Sequence, residues 1–148
     1  MIRVDIETGG RAVDRAALEE AVRLALTTRG VARAEVSLTL LDDSEMSALN
    51  REHLGHDRPT DVLSFALWDA GEPVVVGDVY LGYDQAHRQA LTEDVSLGEE
   101  LVRLAVHGTL HVTGMEHPEA AEARPGSEMY ELQERLVLEL LAGGSSAS

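Results

Sequence analysis

The order in which hydrophobic periodicities follow one another constrains this chain more than any single motif. Ile2, Val4 and Ile6 alternate with polar residues, the two-residue repeat of a strand buried on one face. From Asp14 onward Leu18, Ala21, Val22 and Leu26 recur at helical spacing and stop near Gly30, which predicts a helix of about 14 residues. Val36, Leu38 and Leu40 alternate again, and Asp43 or Ser44 is placed to cap a short helix through Met46 and Leu49. After a polar stretch from Asn50 to Thr60, Val62-Leu63-Ser64-Phe65 reads as a short buried strand. Asp69-Ala70-Gly71-Glu72-Pro73 then reads as a hairpin loop, and Val74 to Leu81 as a further β-rich run. Helical spacing returns over Tyr83 to Leu91, Ser96 to about Val112 and Ser127 to Leu141, the second opened by the capping-box form Ser96-Leu-Gly-Glu99. This order is neither an alternating βαβα series nor an all-β run. It predicts an α+β fold: one domain over residues 1–142, with a small mixed sheet of about four strands packed with about five helices. Residues 143–148, Gly-Gly-Ser-Ser-Ala-Ser, are expected to form a flexible tail.

Composition narrows the chemistry. No apolar run approaches the roughly 20 residues of a membrane span, and Met-Ile-Arg-Val-Asp lacks the start of a signal peptide, so a cytoplasmic protein is expected. With no cysteine there is no thiolate site, and any transition metal must be held by histidine and carboxylate. The net charge of −15, with all 12 basic residues arginine, opposes generic attraction to nucleic acid, although a local arginine cluster or a metal can supply the needed field.

Three of the six histidines fall in one window, His107-Gly-Thr-Leu-His111-Val-Thr-Gly114-Met-Glu-His117, on the last long helix but one. Positions i and i+4 share a helix face, so His107 and His111 can present two imidazoles to one ion. His117 would point to the opposite side if the helix continued. Gly114 suits a helix C-terminus and Pro118 discourages helix at His117, so a turn brings the third imidazole back. Three imidazoles leave a fourth tetrahedral position open, as in catalytic zinc sites, where a bound water is activated for hydrolysis. Nickel and copper also accept such a set. His53, His56 and His87 lack this geometry and are read as exposed or hydrogen-bonded structural residues. The spacing also matches the metzincin proteases, whose general base is a Glu directly after the first His. Here that position is Gly108, which demotes a peptidase.

The segment His107-Gly-x-Leu-His111-x-x-Gly114-x-x-His117 resembles the signature of the YbeY family of bacterial metal-dependent endoribonucleases. Leu49-Asn50 followed by Asp57-x-Pro59-Thr60-Asp61-Val62-Leu63-Ser64-Phe65 is similar to that family's second block, and Gly77-Asp78-Val79-Tyr80-Leu81 to its third. The resemblance implies one zinc per chain on His107, His111 and His117, and hydrolysis of single-stranded RNA, with the nucleophile either a metal-bound water or the RNA's own 2′-hydroxyl. It also implies work on the 3′ end of small-subunit ribosomal RNA and in ribosome quality control, with the ribosome or its proteins as partners and neither DNA nor a membrane. The family commonly carries an arginine where this chain has Leu54, so Arg51 or Arg58 is expected to bind phosphate or stabilise the transition state. A surface role for either arginine is the alternative. Asp61, Ser64 and Asp78 are read either as cleft residues or as turn and strand partners, and Glu116 as a solvent-facing turn residue. With five aromatic residues (one Trp, three Tyr, one Phe), base stacking is a minor mode of RNA recognition. Two rival readings stand: a zinc hydrolase of another substrate, such as a peptidase, and a non-catalytic metal-stabilised ribosome-assembly factor.

Overall fold

The computed structural model describes residues 1–54, 60–116 and 127–147. The elements run β1 (Ile2–Glu7), α1 (Arg15–Thr28), β2 (Ala34–Leu41), α2 (Asp43–Leu54), β3 (Val62–Ala66), β4 (Val75–Gly82), α3 (Tyr83–Glu93), α4 (Leu97–Val112) and α5 (Glu128–Ala147). The four strands form one sheet in the order β1-β2-β4-β3; β1, β2 and β4 run parallel and β3 pairs antiparallel with β4. This is the expected mixed sheet with five helices. Its first third, β1-α1-β2, is a single βαβ unit, a pattern that the β3–β4 hairpin then abandons.

Several helix ends have a local reason. The side chain of Asp14 accepts from the amide of Ala17 and so caps α1, and Ser96 accepts from Glu99, the cap expected for α4. The cap of α2 differs from expectation. Asp42, one residue earlier, accepts from the Glu45 amide at 2.8 Å while Glu45 accepts from the Asp42 amide at 3.0 Å, a reciprocal capping box. Helix α2 runs on to Leu54, past Leu49 and into the polar stretch that begins at Asn50. Helices α1, α3 and α4 all close with the same pair of bonds. In α4 the Met115 amide reaches back to the Leu110 carbonyl at 3.1 Å and the Gly114 amide to His111 at 3.0 Å. Gly114 has φ 105°, a conformation in which any side chain is strained, so the expected helix stop is present. Helix α5 runs on to Ala147 across the glycines and serines assigned to a tail; glycine weakens a helix without blocking it, and no proline intervenes.

Alternation decides the layers. Val36, Leu38, Leu40, Val75, Val79 and Leu81 face the helices and are buried with Leu26, Val106, Leu110 and Leu136. Helix α4 lies at the centre of that layer, against α1, α3, α5, β3 and β4. It approaches the sheet closely at two glycines: a Cβ on Gly108 would stand 2.6 Å from Val79 Cγ1, and one on Gly77 2.5 Å from Val112 Cγ1. The sheet also binds α4 by hydrogen bonds, Ser64 Oγ donating to the Gly108 carbonyl at 2.9 Å and Trp68 Nε1 to Val112 at 2.8 Å. Among the described residues no helix is long and apolar enough to cross a membrane.

Candidate metal centre

Helix α4 is buried on most sides, and four of its polar residues form a stripe. Glu99, Arg103, His107 and His111 follow one another at intervals of four and share a face. Such a stripe must find partners or open to solvent. This one does both, forming a wall of a cleft of about 380 Å³. Asp61, Val62 and Ser64 supply the sheet side of the cleft, and Met129, Tyr130 and Gln133 its α5 side.

The imidazoles of His107 and His111 lie with ring centroids 4.7 Å apart and planes at 80°. Nδ1 of His111 is 2.9 Å from the Met115 carbonyl, which only accepts, so that nitrogen carries the proton and the neutral ring has its lone pair on Nε2. The Gly114 turn is what brings that carbonyl back over the ring. Nδ1 of His107 is 2.6 Å from Oε1 of Gln133. The Gln133 amide nitrogen donates to Glu134 Oε2 at 2.9 Å, and a carboxylate cannot donate, so the oxygen is the atom turned to His107. Both rings thus have the Nδ1–H tautomer, held by an acceptor, that a metal-ligating imidazole requires for coordination through Nε2. The donor set fits a borderline metal such as zinc.

His117, expected as the third ligand, and Arg58 and His56 lie outside the described residues. Among the described residues no group of three or more His, Cys, Asp or Glu is placed so that it could hold a metal ion. Arg51 is exposed on the last turn of α2 and is not among the residues lining the cleft. Ser64 lines the cleft but gives its hydroxyl to the Gly108 carbonyl, and Asp61 accepts the Gly82 amide with its own backbone at 2.8 Å. Asp78 points to the opposite face of the sheet from α4 and accepts from Ser37 Oγ at 2.6 Å. Glu116 is 82% exposed, 3.8 Å from a His111 nitrogen already bound to Met115. His53 packs against Phe65 and His87 against Tyr83, both exposed as expected.

Three polar residues beside the imidazoles went unnoticed in the sequence. Arg103 hydrogen-bonds Glu134 at 2.9 Å, Glu99 at 3.0 Å and Glu100 at 3.1 Å. Burial works to lower its pKa, but the bonds to Glu134, Glu99 and Glu100 more than offset this and hold the guanidinium above its ordinary value. Arg103 was detectable, four residues before His107. Gln133 and Glu134 carry no signal linking them to α4 across a gap of more than twenty residues.

Residues 4–141 match the family described as Endoribonuclease YbeY. The chain belongs to the YbeY family. The Endoribonuclease YbeY of Bacillus licheniformis is 38% identical over 143 residues, covering 88% of this chain and 89% of that one. The Desulfitobacterium hafniense member reaches 48% identity over 98 residues, which span 60% of this chain and 62% of the relative. Among solved structures, the solution structure of TM1509 from Thermotoga maritima superposes with a TM-score of 0.67 at 25% identity, covering 99% of this chain and 93% of that one. The fold and the family expected from the sequence are therefore both present.

Proposed function

We propose that this chain is a zinc-dependent endoribonuclease that cleaves single-stranded RNA, acting on the 3′ end of small-subunit ribosomal RNA and in ribosome quality control in the cytoplasm. One observation carries the reading: two imidazoles on successive turns of a buried helix, each with Nδ1 held by an acceptor, open onto a cleft in a chain of the YbeY family. His107, His111 and His117 would hold the zinc. When bound, the metal supplies Lewis-acid polarisation and lowers the pKa of water to about 7.

The protein's own groups do the rest. Gln133 and the Met115 carbonyl accept at Nδ1 of the two imidazoles, which orients each ring and makes Nε2 the nitrogen that would meet a metal. Met129 and Leu104 form apolar parts of the cleft wall and limit the water around the site. Arg103 is committed to three carboxylates, so it is not the phosphate ligand. That role belongs in this reading to Arg51 or Arg58, whose planar guanidinium matches a phosphodiester with two parallel hydrogen bonds. With a net charge of −15, long-range attraction does not deliver the RNA, which favours delivery by the ribosome or a ribosomal protein.

The test is a comparison of zinc-loaded protein with the His111→Ala variant on a single-stranded RNA and on an unstructured peptide. RNA cleavage lost with the bound zinc in the variant is the expected result. Peptide cleavage would replace the substrate class, and tight zinc binding with neither activity would leave an assembly factor. Cleavage that survives in the metal-free variant would sink the mechanism.

A further inference from the structure

Gln133 is 6% exposed, yet α5 otherwise meets the core with Met129, Leu132, Leu136 and Val137. A buried amide is costly unless hydrogen-bonded, and an apolar residue would fill this position as well. The carboxamide is instead clamped at both ends. Its nitrogen donates to Glu134, and its oxygen faces Nδ1 of His107 at 2.6 Å. Glu134 is fixed in turn by Arg103, which contacts both of its oxygens, at 2.9 and 3.2 Å. Glu100, 5% exposed, joins Arg103 to Gln89 on α3, at 2.8 Å from the Gln89 amide. The cluster is only partly buried, with the side chains of Arg103 22%, Glu99 24% and Glu134 30% exposed, so it adds little net stability, but its several bonds to one guanidinium hold Glu134 in a single place.

We propose that Gln133 is a positioning residue for the metal centre: a carboxamide locked by Glu134 and Arg103 that fixes the tautomer and tilt of His107. The proposal rests on the zinc reading for its consequence, but its first readout needs no metal. In zinc-free protein, nitrogen NMR of the imidazoles should find His107 protonated at Nδ1. Gln133→Met, of similar length and without the amide, should give a mixed tautomer and weaken zinc binding by about 10–100-fold in a calorimetric titration. Gln133→Glu keeps an acceptor for Nδ1–H and should restore the tautomer and most of the affinity. A residue that merely filled space would show the opposite order, with Met tolerated better than Glu.

If Gln133→Met does not fold, Glu134→Gln serves. It frees the Gln133 amide to turn over, and a mixed His107 tautomer is again expected. The proposal is overturned if His107 is protonated at Nε2 in the native protein, or if either folded variant keeps the native tautomer and zinc affinity. Should the native protein bind no zinc while the tautomer responds as expected, the zinc reading fails and the positioning of His107 stands.

Discussion

Gly108 occupies the position at which a metzincin carries its catalytic glutamate, and the packing explains why no side chain stands there. A Cβ would lie 2.6 Å from Val79 Cγ1 and 3.0 Å from both Ser64 Oγ and Val62 Cγ2, so the helix would have to lift from the sheet. Gly108→Ala is expected to destabilise by about 1–3 kcal/mol, the usual cost of overpacking, read as a lower urea midpoint at unchanged slope. A neutral substitution would mean that α4 does not rest on β3 and β4 as described. Any lift of α4 also moves His107 and His111, so the zinc affinity of this variant should fall with its stability.

At the scale of elements, the helix ends show where the chain is unevenly optimised. Helices α1 and α4 close on glycines with positive φ, whereas α3 closes on Asp94 at φ 57° with the same pair of bonds. Asp94 is exposed, so Asp94→Gly should relieve the left-handed strain and stabilise by about 0.5–1 kcal/mol, measured by thermal unfolding. Helices α2 and α3 are joined by a two-pronged pair, Arg88 to both Asp43 oxygens at 2.8 and 2.9 Å. The Arg88 hydrogen bonds hold the Asp43 carboxyl below its ordinary 3.8, burial opposes them, and the arginine's charge adds to the lowering. A depressed carboxyl contributes fully above its unfolded value, and the contribution disappears as pH falls through the folded one. Urea midpoints should therefore drop on acidification below about pH 4, and drop less in Asp43→Asn. Since both side chains are well exposed, the effect should be small and weaker still in high salt. Equal acid sensitivity in the variant would remove this pair from the explanation.

For the whole molecule, the proposed zinc would tie α4 to the segment of this chain that carries His117, and a ligand that binds only the folded state stabilises it by mass action. Zinc at about 100 times its Kd should add about 2.7 kcal/mol, seen as a rise in Tm that is absent in His111→Ala. A Tm that ignores zinc would contradict a metal centre on these histidines.

Much of this was legible from the residues alone because the physics is local. The alternation at β1 and β2, the cap at Ser96, and the stop at Gly114 each depend on a few neighbouring residues. So does the shared face of His107 and His111, which a helix fixes by its pitch. The start of α2 differs by one residue because the reciprocal capping box uses Asp42 in place of Asp43 or Ser44. What only the tertiary structure decided is how distant elements meet. The sequence spacing shows no reason for Gly108 until β3 and β4 lie beneath it, and none for Gln133 until α5 packs on α4. Those contacts depend on the collective burial of apolar faces from both elements, and no short window of the chain encodes that.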